Sequence, residues 1–277
     1  MKNLILSSVL VLIASSAAQA QQAVQWKVSD GGNGHWYEPV EGNAMSWTVA
    51  AESAVLRGGY LATVRSPEES NFAVSLVQNP RFWRIDGIYI VGPWLGGYQD
   101  RSATGYSEPA EGWRWVDGER WLWTNWGTIA AGGAEPNNGC GGENFLHLLT
   151  QPPETGFSGK WNDAGGSCGE LPKSLIIEWS ADCNGDGIVD YGQILDGTFP
   201  DANGDGVPDC CDGGGSCTPC PGDVASDGMV DGVDLAAVLS QWGTQGSGTF
   251  NADIDGSGLV DGGDLGIVLG GWGPCPQ

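Results

Sequence analysis

Apolar positions recur along the first two thirds of the chain with two different periods, and each period predicts a different element. Over Ser46 to Arg57, Trp47, Ala50, Ala51, Ala54 and Val55 fall at helical spacing, and Gly58-Gly59 ends the run with residues tolerant of left-handed backbone. A second helix is predicted from Ser66-Pro67-Glu68-Glu69. Ser66 suits the cap, Pro67 the first helical position, and Glu69 completes a capping box, with Phe72, Ala73, Leu76 and Val77 as the buried face. The alternating segment Gly112 to Gly118 and the apolar Leu175-Ile176-Ile177-Glu178-Trp179 read as strands. From Thr124 to Asp163 the pattern reads mostly as loop, a length that in a compact domain usually carries function. Two early helices followed by strands and a long loop predict an α+β domain.

The two ends of the chain depart from this pattern. Lys2, the apolar stretch Leu4 to Ala14 and the small-residue site Ala18-Gln19-Ala20 read as a cleavable secretory signal over 1–20, too short to cross a bilayer. No later segment approaches transmembrane length, so the mature chain is expected to be secreted, extracellular or associated with a cell surface. Twelve of the 14 tryptophans fall between Trp26 and Trp179, which marks one domain over 24–180. Beyond it the chain turns rich in Gly and Asp, and its last cationic residue is Lys173. A net charge of -23 excludes nucleic acid as a partner, because the phosphate backbone would be repelled. The 8 cysteines read as a disulfide inventory in an oxidising compartment.

Within the long loop, Glu135-Pro136-Asn137, Glu143-Asn144 and Trp161-Asn162-Asp163 supply carboxylates and amide carbonyls, with no His or Cys pattern suited to zinc. Hard oxygen donors of mixed charge are what Ca²⁺ takes, at a coordination number that leaves room for ligand hydroxyls. Together with Gly58 to Val64, Trp94-Leu95-Gly96-Gly97, Trp113 to Gly118 and Thr124-Asn125-Trp126, these motifs resemble a C-type lectin-like domain from Trp26 to Trp179. The resemblance implies that Glu135, Asn137, Glu143, Asn162 and Asp163 ligate a sugar-binding calcium and that the Glu135–Pro136 peptide is cis. It also implies that two vicinal sugar hydroxyls complete the shell, with mannose-like, glucose-like or fucose-like preference from EPN. The family's first-helix and last-strand cysteines fall at Ala54 and Ile177, where an apolar contact is expected instead of a bridge. Cys140 and Cys168 are expected to pair and clip the loop. Trp121, Trp123 and Trp126 suit either sugar stacking or the core. His35 and His147 read as structural, His147 lying in the apolar run Phe145 to Leu149.

The tail repeats a frame of oxygen donors at alternate positions with glycine at the sharp turn. Asp223, Asp227, Met229, Asp231 and Asp234 occupy positions 1, 5, 7, 9 and 12 of the first copy, with Ala225 at position 3. Asp253, Asp255, Ser257, Leu259, Asp261 and Asp264 occupy positions 1, 3, 5, 7, 9 and 12 of the second. Position 7 offers a backbone carbonyl, so Met229 and Leu259 enter as ligands through the main chain. Each loop leads into a helix ending in Trp-Gly, and the pair resembles a small all-α type I dockerin over 219–277. Repeated Pro-Cys-Pro suggests a bridge from Cys220 to Cys275. The intervening segment 181–218 carries Asp182 to Gly187 and Asp201-Ala202-Asn203-Gly204-Asp205-Gly206, continuing to Asp209 and Asp212, and resembles Asp-rich calcium repeats. Cys183, Cys210, Cys211 and Cys217 are expected to pair among themselves, with three connectivities open.

Together these readings predict a non-enzymatic, Ca²⁺-dependent carbohydrate-binding protein whose tail docks to a cohesin-like partner. Two alternatives stand beside it: an adhesin that binds protein through the lectin-like domain, and a component of a polysaccharide-degrading assembly.

Overall fold

The computed structural model describes residues 22–86, 89–128, 133–139, 141–150, 156–165, 171–212, 220–225, 228–246 and 251–275. The signal segment, Cys140, Cys168, Cys217 and Asp227 lie outside the described residues, and with them the expected Cys140–Cys168 pairing. The elements run β1 (Val24–Gln25), β2 (Trp36–Glu41), α1 (Trp47–Val55), β3 (Tyr60–Leu61), α2 (Pro67–Leu76), β4 (Arg84–Asp86), β5 (Tyr89–Gln99), β6 (Trp113–Trp115), β7 (Phe145–Thr150), β8 (Lys160–Ala164) and β9 (Ser174–Trp179). There follow α3 (Asp190–Asp196), β10 (Met229–Val230), α4 (Gly232–Ser240), α5 (Gly262–Gly270) and β11 (Gly273–Pro274).

Strands β1-β2-β9-β5-β7-β8 form one sheet in that order, with β3 added to β9 and both β4 and β6 added to β5. The pairings are antiparallel except where β5 meets β9 in parallel at Trp94 and Leu175. Pro93 sits inside β5, where it cannot donate to the ladder, and the register to β7 shifts between Val91 and Trp94. Gly96 lets that strand run close to its neighbour: a Cβ there would stand 2.2 Å from the Leu61 carbonyl oxygen.

All six residues of β9 are buried, so strand alternation feeds two cores. Ile176 joins Tyr37, Leu95, Trp115, Leu146, Leu148 and Trp161 on one side. Leu175, Ile177 and Trp179 join Ala50, Ala54, Leu61 and Trp94 on the other, so Ala54 and Ile177 share an apolar cluster as expected. α1 packs on this side through its small residues. Val55, expected on its buried face, is instead 67% exposed, because the inward face is made by Trp47, Ala50, Ala51 and Ala54.

The cap of α2 is half as expected. Ser66 Oγ accepts from the Glu69 N–H at 3.1 Å, but the Glu69 carboxylate accepts from the Arg65 N–H at 2.6 Å rather than from Ser66. The cause lies in the core, where the Tyr37 hydroxyl donates to Glu69 at 2.9 Å and draws the carboxylate inward. Two strands also interrupt the predicted long loop. β7 is buried on both faces, which removes the alternation that would mark it as a strand, and β8 pairs with it from Lys160 to Ala164.

The tail module is not all-α: β10 and β11 pair antiparallel, Met229 with Pro274 and Val230 with Gly273, closing its ends together. Val230, Val238, Ala252, Val260 and Val268 are fully buried at its centre, and a Cys220–Cys275 disulfide closes it as expected. Asp231 with Asp234 and Asp261 with Asp264 form reciprocal capping boxes at the starts of α4 and α5.

Glu178 is fully buried in β9 and surrounded by protein donors. It accepts from the Thr63 N–H at 2.8 Å and the Thr63 hydroxyl at 3.1 Å, and lies 3.1 Å from the Tyr37 hydroxyl oxygen, whose one proton is divided between Glu69 and Glu178, and 2.6 Å from His35 Nδ1. Glu178→Ala strands these donors in the core, so thermal or urea unfolding should show a loss of about 3 kcal/mol or more. A variant as stable as the parent would contradict the network.

Candidate functional site

Construction of the site begins with Trp161 on β8. Its side chain is fully buried, and its backbone forms a parallel bridge with Trp126. The Gly127 N–H donates to the Trp161 carbonyl at 2.8 Å and the Glu135 N–H donates to the Gly127 carbonyl at 3.0 Å, while Thr128 bridges to Ala134. The chain therefore leaves β8's side at Thr128 and returns at Ala134, delivering Glu135 beside the strand that carries Asn162 and Asp163. The Glu135–Pro136 peptide is cis, as the family resemblance implies.

Beyond Pro136 the backbone wraps around Asp163. The N–H groups of Asn137 and Asn138 donate to its two carboxylate oxygens at 3.0 and 2.8 Å. Asn138 adopts a left-handed φ of 48°, and its side-chain oxygen accepts from the N–H groups of Gly142 and Glu143 at 2.6 and 3.1 Å. Glu143 folds back so that its carboxylate accepts from the Gly139 N–H. A Cβ on Gly139 would lie 2.7 Å from Asn137 Oδ1 and 3.5 Å from Glu143 Oε2, which places both oxygens around one point.

Glu135 is 5% exposed and Asp163 1%, and the two carboxyls lie close enough to raise each other's cost of ionisation. Burial, then the Asp163 carboxylate and the Glu143 charge, push the Glu135 carboxyl up to about 8. Burial likewise raises Asp163, while the Asn138 and Asn137 N–H groups act in the opposite sense. Both shifts favour the uncharged form of the pair over two bare carboxylates side by side. Among the described residues neither is ion-paired to Lys or Arg, and Glu135 Oε2 is buried without a hydrogen-bond partner.

Four of the five sequence-predicted ligands, Glu135, Asn137, Glu143 and Asp163, thus share one loop cluster. The carboxylates of Glu135, Glu143 and Asp163 are not drawn within 4.8 Å of one another, so Glu143 must leave the Gly139 N–H to join a common ion. Asn162 points elsewhere: its Nδ2 lies 3.1 Å from His147 Nε2 and donates to the Asp163 carbonyl. His147 is fully buried and burial lowers it to about 4, so it is a neutral acceptor here. Trp121, Trp123 and Trp126 pack around Trp161 with ring centroids 5.5, 5.1 and 5.6 Å away, forming the floor beneath the loop rather than a free stacking rim.

The other candidate metal ligands fall in three loops. Asp253, Asp255 and Asp264 bring carboxylate oxygens within 4.8 Å of one another, and Asp253 Oδ1 is buried without a partner. Asp264 is fully buried and accepts from the N–H groups of Ile254, Asp255 and Asp261. Ser257 donates to the Leu259 carbonyl, and Asp261 caps α5. In the first tail loop Asp223 accepts from the Gly228 N–H, and Asp234 accepts from the N–H groups of Ala225 and Asp231, so Ala225 contributes through its backbone. In the linker Asp201 accepts from Gly204, Asp205 and Gly206, Asn203 donates to Asp205 and Asp212, and Asp209 accepts from Ala202. Cys183 and Cys211 form a disulfide across this linker.

Sequence reasoning missed Asn138, although an Asn before Gly in a turn is a signal for left-handed backbone, and it missed the His147 contact to Asn162.

No protein-family model matches the chain, and no curated protein matches it. Among solved structures it is similar to the C-type carbohydrate-recognition domain of cow CD23, in the presence of a GlcNAc2Man3 oligosaccharide, at 26% identity over 54% of this chain and 91% of that one, with a TM-score of 0.36. It is similar to human lithostathine at 16% identity, over 64% of this chain and 99% of that one, with a TM-score of 0.38. It is also similar to the C-type lectin CEL-I from Cucumaria echinata at 21% identity, over 54% and 92%, with a TM-score of 0.36.

The Glu135 geometry sets a pH dependence. A carboxyl raised from 4.5 to about 8 contributes stability that is present below 4.5 and lost as pH rises through about 8. In chelator, the gap in melting temperature between parent and Glu135→Gln should therefore shift in favour of the variant across that window. A gap constant with pH would contradict the raised Glu135 carboxyl.

Proposed function

We propose that this chain is a secreted protein that binds carbohydrate through a calcium ion held by Glu135, Asn137, Glu143, Asn162 and Asp163. The observation that carries the reading is the buried Glu135–Asp163 carboxyl pair, with Asn137 beside it, Glu135 Oε2 lacking a hydrogen-bond partner and, among the described residues, no cationic side chain paired to either acid. A divalent cation answers that arrangement by neutralising the pair and taking the orphan oxygen. Bound there, Ca²⁺ would supply open coordination positions for vicinal hydroxyls, and the Glu135 and Asn137 side chains would accept from and donate to those hydroxyls. Asn162 joins by turning its amide oxygen from β8 toward the same ion. Two disulfides and the sequence of 1–20 support export.

The tail, in this reading, is a calcium-folded docking module for a cohesin-like protein. Its support is a duplicated apolar surface: Val233, Leu239 and Trp242 from one repeat, and Leu259, Leu269 and Trp272 from the other, are all between 45 and 56% exposed. The linker loop of Asp201, Asn203, Asp205, Asp209 and Asp212 is read as a further calcium site that stiffens the connection.

A glycan array read with calcium and with chelator tests the lectin assignment. Asp163→Ala should lower calcium-dependent binding at least about tenfold, because it removes both a ligand and the acceptor that shapes residues 137 and 138. Glu135→Gln with Asn137→Asp should move preference from mannose-like toward galactose-like sugars. Binding that persists in chelator, or that free monosaccharide does not inhibit, would favour a protein-binding adhesin. For the tail, circular dichroism of 219–277 should show loss of α4 and α5 in excess chelator, since folding and metal binding are one free energy there. Helicity equal with and without calcium would remove the docking reading.

A further inference from the structure

A cleft in the Trp-rich domain belongs to neither the Glu135 loop nor the tail. It holds about 470 Å³ and is lined by residues 42–44 with Trp83, Arg84, Ile85 and Lys173. That volume falls in the range of sites for small molecules. Strand register sets it at the opposite end of β5 from the calcium candidates. Arg84 pairs with Val91 near the start of that strand, whereas Tyr98, near its end, pairs with Phe145 beside Glu143.

The walls of the cleft are braced. The Gly42 N–H donates to the Lys173 carbonyl at 2.8 Å and the Met45 N–H to the Pro172 carbonyl at 3.0 Å, which clips the loop before α1 onto the approach to β9. The Ser174 hydroxyl donates to the Phe82 carbonyl at 2.5 Å, tying the segment that carries Trp83 and Arg84 to the same strand. The Trp83 indole N–H donates to the Val77 carbonyl at 2.6 Å and its ring stacks on Phe157 with centroids 4.6 Å apart, so the floor is fixed. Ile85 stands at the rim, 78% exposed. A cleft braced in this way spends little ordering energy when a ligand enters.

Its chemistry is cationic beside apolar. The sequence has a net charge of -23 and 11 Lys and Arg residues, and two of them, Arg84 and Lys173, line this cleft. A third, Arg81, lies over the Phe82 ring at 4.6 Å. Glu41 bridges Arg81 and Lys173 at 3.9 and 3.8 Å, loose contacts between partly exposed groups that an entering anion can replace at small cost. An anionic oxygen group at Arg84 and Lys173 gains charge-assisted hydrogen bonds. Trp83, Ala44 and Ile85 would be wasted on a bare ion, and suit the C–H face of a ring.

We propose that this cleft binds an acidic saccharide unit, a pyranose ring carrying a carboxylate or a sulfate ester, with Arg84 and Lys173 on the anionic group and Trp83 and Ile85 against the ring. That the anion is borne by a sugar rests on the carbohydrate-binding reading; the anion site itself does not. The site works without calcium and gives the chain a means of telling acidic from neutral polysaccharide.

Ligand-observed nuclear magnetic resonance titrations of the full mature chain in chelator, which silences the Glu135 site, test the proposal. The probes are glucuronic acid, glucose 6-sulfate, glucose and inorganic sulfate. Glucuronic acid or glucose 6-sulfate should bind, the tighter of the two showing which anionic group the cleft is shaped for, and glucose should not. Lys173→Met and Arg84→Gln should each weaken that binding about tenfold while Lys173→Arg retains it, and raising salt from about 0.05 to about 0.5 M should weaken it in the parent. Parent affinity in folded Lys173→Met and Arg84→Gln overturns the site. Glucose binding as tightly as the acidic sugars, or inorganic sulfate competing as strongly as they do, overturns the saccharide assignment. Acidic-sugar binding that is absent, or that appears only with calcium, overturns the proposal as well. Calcium-dependent binding of neutral sugar by Lys173→Met is a separate readout, so failure of the Glu135 site and failure of this one are told apart.

Discussion

The need to satisfy buried carboxylate oxygens sets the conditions for most of what this chain does. Such groups have few stable arrangements: share a proton, gather hydrogen-bond donors, or hold a metal ion. The Trp-rich domain uses donors for Glu178, which is surrounded by Thr63, Tyr37 and His35, and for Glu69, which is held by Tyr37, Asn33 and the Arg65 backbone. At Glu135 the donors run short: Oε2 has no partner, and burial beside Asp163 raises its carboxyl. Beyond Lys173 the chain has no cationic residue at all, and buried acids with orphan oxygens recur at Asp190 and Asp253. The same constraint thus separates structural acids, already satisfied by the protein, from acids whose satisfaction comes from outside it.

The scaffold matters to the site through Trp161. Its indole fills the core between Trp115, Trp121, Trp123 and Trp126, and its backbone carries both the bridge to Trp126 and the position of Asp163 two residues on. A loop that would otherwise lose much conformational entropy on ordering is therefore tied at both ends to a close-packed strand. Asp163 then organises the loop interior by accepting from two consecutive backbone N–H groups, which is how a strand residue dictates where Asn137 stands.

Much of this was legible in the sequence where a local rule decides the outcome. The Ser66 cap, the Pro67 start and the Ala50 and Ala54 face all follow from short-range spacing, whereas the capping role of Asp231 and Asp261 was not read from it. Features decided by distant partners were not legible. β7 carries no alternation because both its faces are covered, Val55 has helical spacing but no surface to cover, and Glu69 turns from its expected cap toward a tyrosine remote in sequence. The convergence of Glu135 and Asp163 was suggested by motif order. Its electrostatic content, a raised carboxyl and an orphan oxygen, depends on burial that no spacing rule reports.

The central claim is that the oxygens around Glu135 and Asp163 are arranged for one cation that carries sugar hydroxyls. A crystal of the mature protein grown with calcium and a mannose-type monosaccharide, with anomalous scattering used to locate the ion, tests it most directly. The account predicts one calcium peak bounded by Glu135, Asn137, Glu143, Asn162 and Asp163, with two vicinal hydroxyls of the sugar in its coordination shell. A Glu135–Asp163 pair without an ion at saturating calcium, with the sugar bound elsewhere or not at all, would contradict it.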